Sequence, residues 1–376
     1  MADSYWLAEP AAPLRSRRLH GVPEVEIVGG GVTGCSCALA LAQTGVRVRL
    51  HEARTIAGGA SGRNGGFALR GGAMPYDEAR TTLGPDRAKA LWTLTERGLQ
   101  SIRALAGDTF RQTGSLRLAA DASERAELES EFQALDQDDF AVEWLDDLAP
   151  QLERFAGGIR HVPDAAIHPA RWVRRLAQHA VDAGAELLEG SQVESLTKLG
   201  AATVVIATDG YTNGLVPELD AVIRPIRNQV VVTEPLAKLL FPLPHYARHG
   251  SDYWQQTPDR RLVVGGRRDS DATENTGEEA LTPLIQKRLE ACIVELVGRL
   301  PAISHRWAGI FGSSPDGRPL AGPVPGREGL WVAAGYSGHG NVLGFVCGQL
   351  VATAIVGAAP SELELFDPAR ILAKPA

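Results

Sequence analysis

Three glycines at fixed spacing, Gly29, Gly31 and Gly34, lie between a short apolar run, Val25–Val28, and a stretch of helical periodicity. In that setting Gly29 permits a tight turn, Gly31 lets the backbone approach a pyrophosphate, and Gly34 lets helix and strand pack closely. The helix that follows, entered at Val32 and Thr33, turns unpaired N–H groups and a positive dipole end toward phosphate. Glu52 closes a second apolar run 18 residues beyond Gly34, where a carboxylate accepts both hydroxyls of a ribose and disfavours a 2′-phosphate. Ala53 and Arg54 follow it and belong to the same candidate contact set. A glycine triplet alone is a weak signal. Strand, helix, acid and the small-residue spacing of Ala38, Leu41, Ala42 and Gly45 together make dinucleotide binding the reading over an ordinary glycine turn.

The triplet does not separate NAD from FAD, and three further segments bear on the choice. Residues 57–72 hold seven glycines, and Gly59, Ala60, Ser61, Arg63, Asn64, Gly65 and Gly66 sit where the second half of a dinucleotide would extend. Glycine there lets backbone N–H groups reach a bulky planar ring, while Ser61, Arg63 and Asn64 offer donors; a flexible surface loop is the plainer alternative. Ala207, Thr208 and Gly210 form a small-residue turn at the end of an apolar strand, and Val193 precedes that strand. Gly338, His339, Gly340 and Asn341 cap the last helix, whose dipole would stabilise negative charge on a reduced flavin. The expected cofactor is FAD.

These segments must be positioned by elements spread over the whole chain. Val25–Val28, a helix over 32–44 and a strand over 46–52 form a β-α-β unit. Residues 57–72 are expected as loop. Helices are expected over 86–105, 122–135, from His168-Pro169 to Gly184, over 282–297 and after Gly340, and strands over 187–193, 203–208 and 330–334. Residues 225–234 and 253–267 predict antiparallel strands, the latter joined by a Thr-Pro-Asp turn. The fold class is α/β: a discontinuous Rossmann-type domain over 1–85, 150–222 and 309–376, and a mostly antiparallel α+β substrate domain over 86–149 and 223–308.

Composition narrows the class. The chain has 376 residues, 44% hydrophobic and 22% charged, as a globular enzyme of two domains would. A net charge of −7 disfavours nucleic acid and anionic membrane as partners. Of the cysteines Cys35, Cys37, Cys292 and Cys347, the first two stand two apart on an expected helix and suit neither a disulfide nor paired zinc ligands; reduced, buried thiols, no metal and a cytoplasmic location are expected. The apolar stretch over 342–359 is interrupted by Gly344, Gly348, Gln349 and Thr353 and predicts a buried helix, with no membrane span.

Taken together, these residues resemble the D-amino-acid oxidase superfamily of flavoproteins, in particular the branch that includes gamma-glutamylputrescine oxidoreductase. The resemblance runs from Ser4-Tyr5-Trp6 through the two glycine loops and His168-Pro169-Ala170-Arg171. It continues through the segment Arg224–Gln229, Tyr253-Trp254, the segment Arg261–Arg267, Ser314-Pro315-Asp316-Gly317-Arg318-Pro319 and the closing segment Gly335–Gly340. It implies extended FAD with antiparallel strands over the ring. It also implies hydride transfer from an amine-bearing carbon to flavin N5 and hydrolysis of the resulting imine. Oxygen is the implied acceptor, yielding peroxide. Such chemistry needs a desolvated substrate held over the ring rather than a strong base. Tyr253 and Trp254 are the candidate walls, with sheet packing as their alternative, and His339 joins them as a candidate catalytic residue.

Three departures from the pattern sharpen this. Phe311 stands where amino-acid-oxidising relatives carry a carboxylate-binding arginine, which favours an amine, or a carboxylate held by Arg267 or Arg227. Gly309 falls where a flavin-linking cysteine would be, so FAD is expected to be non-covalent. The strand Leu262-Val263-Val264 lacks the lysine that sarcosine-type oxidases use toward oxygen. A quinone or protein acceptor is therefore the second expectation, and a non-catalytic flavin-binding subunit the third.

Overall fold

Short apolar strands with helices against them build one half of the protein. The computed structural model describes residues 4–268, 271–358 and 360–372. In it Val25–Val28, buried at every residue, is the middle of a six-stranded sheet. The order is Leu320–Pro323, Leu330–Ala334, Thr203–Ile206, Val25–Val28, Val48–His51, Glu186–Leu188. All pairs are parallel except the first. Such strands need helical cover, and the helices Val32–Gln43, Pro169–Asp182 and Gly340–Ile355 pack together beside them. The closing helix is almost wholly apolar because it is buried, not because it spans a bilayer. At Gly348 a Cβ would lie 2.5 Å from the Thr33 carbonyl oxygen, so the glycines let two helix backbones meet. Among the described residues no helix is long and apolar enough to cross a membrane.

The second half is an eight-stranded sheet ordered Ile303–Ser313, Arg224–Thr233, Leu262–Gly266, Asp252–Gln256, His245–Ala247, Ser115–Leu118, Gly158–His161, Val142–Leu145. Alternation divides it. One face carries Val231, Trp254, Val264 and Leu116 into a core with the helix Pro283–Val297. The other carries Trp307, Gly309 and Phe311, then Asn228, Tyr253, Tyr246 and Arg117, toward the six-stranded half.

The sequence misplaces several pieces of this. Gly158–His161 and residues 309–313, assigned to the dinucleotide domain, are hydrogen-bonded into the larger sheet. The helix Pro85–Ala106, assigned to the substrate domain, packs on the closing helix, where Gly98 leaves room for Val346. The strand expected over 187–193 ends at Leu188, because the chain turns at Gly190 (φ +65°) and the Ser191 N–H donates to the Glu52 carbonyl. Residues 57–72 are not all loop: they hold a 3-10 turn, Ala60–Gly62, and a strand, Phe67–Ala68. The strands Ser115–Leu118, Val142–Leu145 and Gly158–His161 escape sequence reading because charged residues interrupt them. Arg160 pairs across strands with Glu143 at 2.8 Å, and Arg117 pairs with Glu131 on the helix Ala122–Gln137.

Candidate cofactor and active site

A cavity of about 800 Å³ runs from the opening glycine turn to the inward face of the larger sheet. At its first end Gly29 has φ +114°, and a Cβ there would lie 2.5 Å from the Ala207 carbonyl oxygen. At Gly34 a Cβ would lie 1.9 Å from the Gly29 carbonyl oxygen, so only glycine lets this helix sit on its strand. Glu52 is buried, accepting from the Gly30 N–H at 2.7 Å and the Arg54 N–H at 2.8 Å. Burial raises its pKa, against the pull of those two donors.

The second glycine loop is tied to the helix start and to the chain's last helix. Ser61 Oγ accepts from the Val32 N–H at 3.0 Å. Asn64 donates to the carbonyls of Ala60 and Ser61, and its side-chain amide pairs with that of Asn341, 3.1 Å in both directions. Arg63 donates to the Gly58 carbonyl at 3.0 Å. Arg54 meets Glu279 at 2.9 Å, and its guanidinium lies 5.2 Å from the Tyr211 ring centroid. Their side-chain donors are thus largely engaged by the protein, and the loop presents its backbone to the cavity.

Asp209 is a residue the sequence reading missed. Its buried carboxylate accepts from the Gly312 N–H at 2.7 Å and the Gly335 N–H at 2.8 Å, fastening three distant segments around the cavity. Burial raises its pKa, opposed by these N–H groups. Thr33 Oγ1 donates to Tyr336 Oη at 2.9 Å, joining the first helix to the closing turn.

The cavity brings together Gly29, Gly31, Val32, Thr33, Glu52, Ala53 and Arg54 with Gly59, Ala60, Ser61, Arg63, Asn64 and Gly65. Val193, Ala207, Thr208, Gly338, His339, Gly340, Asn341, Tyr253 and Phe311 line it too. Six of the sequence candidates do not. Gly34 and Gly210 serve packing, the latter pressed on the Phe311 backbone, where its Cβ would lie at 2.8 Å. Gly66 faces the Gln255 amide and the Ile167 carbonyl. Trp254 points to the opposite face of its strand and stacks on His245, ring centroids 5.4 Å apart. Arg267 turns away to Asp252 at 2.9 Å and Glu295 at 2.7 Å. Arg227 is likewise engaged by Glu274 on the far face. The residue that reaches the cavity is Arg268, 5.3 Å from the Phe311 ring centroid.

These groups fit a flavin dinucleotide. A long cavity starts at a helix N-terminus with a close backbone approach at Gly31 and ends at a second helix N-terminus. Near that far end Asn228 Oδ1 and His339 Nδ1 are buried without partners, as groups awaiting a polar ring would be. No cysteine lines the cavity; all four are buried elsewhere.

Fold and cavity define an α/β protein with a dinucleotide-type glycine turn on its six-stranded sheet and a cavity walled by its eight-stranded sheet. Residues 24–354 match the family described as FAD dependent oxidoreductase, and the chain belongs to that family. It therefore uses FAD. It is 30% identical over 382 residues to the gamma-glutamylputrescine oxidoreductase of Escherichia coli (strain K12), covering 92% of this chain and 85% of the relative. It is 29% identical to a probable oxidoreductase OrdL of Rhizobium meliloti (strain 1021), covering 94% of this chain and 87% of the relative. Glycine oxidase from Geobacillus kaustophilus has the same fold, with a TM-score of 0.76 at 23% identity over 94% of this chain and 99% of that one.

Proposed function

We propose that this protein oxidises a carbon–nitrogen bond of a small amine or amino acid, with FAD held non-covalently. The observation that carries this is the aromatic wall at the flavin end, which holds no carboxylate and has Arg268 set against Phe311. Tyr253 packs edge-on to Phe67, centroids 5.7 Å apart, beside Phe311 and His339. Burial holds His339 down to about 4, so its imidazole is neutral at ordinary pH, and burial pushes the Tyr253 phenol up. Such a wall strips water from a neutral amine and offers no strong base. Bound FAD supplies the hydride acceptor. As the C–H hydride leaves, the nitrogen lone pair forms the C=N bond, and water then hydrolyses the imine to a carbonyl compound and an amine or ammonia. Tyr253 and Phe311 position the substrate carbon, and the names of the relatives supply the substrate class.

Purified holoenzyme incubated with a panel of amines and amino acids is expected to release carbonyl product in an amount equal to the ammonia or amine set free. Product formation from alcohols or hydroxy acids alone would overturn the reading. A second reading concerns the acceptor. No lysine lines the cavity among the described residues, which favours a quinone or protein acceptor over oxygen. Turnover that reduces an artificial quinone without consuming oxygen selects it, and peroxide release selects the oxidase.

A further inference from the structure

The second glycine loop is held from behind by donors that come from distant parts of the chain. Ser4 Oγ donates to the Gly62 carbonyl at 2.7 Å, Trp307 Nε1 to the Arg63 carbonyl at 2.8 Å and Trp6 Nε1 to the Asn64 carbonyl at 2.8 Å. Gln255 Nε2 donates to the carbonyls of Gly65 and Gly66. Five successive carbonyls, those of residues 62–66, are thus each bound by a side chain. All four donor residues are buried, and none of them lines the cavity.

A trans peptide is planar and sets its N–H opposite its C=O. A carbonyl held against an outer donor therefore turns the N–H of the next residue the other way, toward the cavity. The Gly66 N–H is taken up by Asn64 Oδ1 at 2.8 Å and the Arg63 N–H by the Ala60 carbonyl at 3.1 Å. The N–H groups of Asn64 and Gly65, which follow the two carbonyls bound by tryptophan, have no acceptor among the described residues, and both residues line the cavity. Backbone donors are rarely left unpaired, so a ligand that accepts from both completes the loop. Burial of an indole in this protein does not by itself demand a bond: Trp172 and Trp254 are as deeply buried, and their Nε1 atoms have no partner among the described residues. Trp6 and Trp307 are set apart by bonding consecutive peptides of one loop.

We propose that Trp6 and Trp307 are positioning residues for the flavin: by holding the Arg63 and Asn64 carbonyls away from the cavity, they aim the N–H groups of Asn64 and Gly65 as a pair of donors at the isoalloxazine ring. Donors so placed stabilise the negative charge the ring takes up on reduction. The two indoles, which stay outside the cavity, thereby set how tightly FAD is held and how readily it accepts electrons. Trp6 stands 58 residues from its acceptor and Trp307 244, so the opening segment and the larger sheet must both dock before the donor pair is formed. The proposal needs bound FAD and is independent of the amine reading.

Two readings on the holoenzyme test this without substrate: FAD released on dilution, followed by its fluorescence, and the reduction potential of the bound flavin. Trp6→Phe and Trp307→Phe keep an aromatic ring and lose the N–H. Each should raise the FAD dissociation constant about fivefold or more and lower the potential. Trp172→Phe is the control, a buried tryptophan with no bond to lose; at a similar loss of Tm it should change neither reading. Should Trp6→Phe or Trp307→Phe not fold, benzothienylalanine placed at position 6 keeps the shape of indole, replaces its N–H by sulfur, and is expected to move both readings the same way. Unchanged affinity and potential in these variants, or an equal change in Trp172→Phe, overturns the proposal whatever amines the enzyme turns over. Weaker FAD binding at an unchanged potential overturns it too, since that marks a role in packing alone.

Discussion

Gly31 and Asp209 show two ways in which one residue shapes the candidate cofactor cavity. At Gly31 a Cβ would lie 2.8 Å from Ser61 Oγ, in the gap between helix start and glycine loop. Gly31→Val should fold but retain FAD at least tenfold more weakly, read as visible absorbance lost on dialysis; full retention would contradict a pyrophosphate passing there. Asp209→Asn replaces one of two acceptors with a donor aimed at an N–H, and leaving that group unpaired costs about 1–3 kcal/mol in denaturant unfolding. The glycine was legible in the sequence, because a close backbone approach leaves a spaced pattern. The aspartate was not. Its partners stand 103 and 126 residues downstream, and within Thr208-Asp209-Gly210 it reads as an ordinary turn residue.

At the scale of the element, the strand Asp252–Gln256 decides which aromatic faces the cavity. Adjacent residues of a strand face opposite ways, so Tyr253 and Trp254 could not both wall one cavity. Register chooses Tyr253. It stands opposite Gly265, where a Cβ would fall 2.1 Å from its hydroxyl, so the missing side chain gives the ring its place across the sheet. The sequence marks the hairpin and its aromatics; the face follows from pairing with distant strands. Tyr253→Phe is expected to keep stability and flavin content while altering KM for the amine. Trp254→Ala empties a fully buried core site and should cost about 3–5 kcal/mol in unfolding while the flavin spectrum persists. The reverse pattern, catalysis lost at Trp254 and stability lost at Tyr253, would show that the faces are misassigned.

For the whole molecule, two halves stitched from discontinuous segments were legible because α/β pattern occurs at the start, middle and end of the chain. The crossing pieces were not, since Gly158–His161 and the helix Pro85–Ala106 take their places from long-range packing. That interleaving also makes stability a shared property with a pH signature. Burial pushes His168, His245 and His339 down to about 4. Each is neutral in the fold, whereas the unfolded chain takes up protons below about pH 6.5. Stability is therefore complete above that pH and is lost progressively as pH falls toward 4, by up to about 3 kcal/mol for His245 alone. Tm measured from pH 7 to pH 4.5 should fall, and fall less steeply in His245→Phe, which keeps the stack on Trp254; an unchanged slope would contradict the assignment.

One measurement bears most directly on a flavin reduced by an amine at the wall formed by Tyr253 and Phe311. In an anaerobic cuvette the purified yellow protein is titrated with amines and amino acids while its visible spectrum is recorded. The oxidised flavin bands should bleach with at least one amine, and dithionite should produce the same reduced spectrum. A fully loaded flavin that dithionite bleaches and no amine or amino acid does would contradict it.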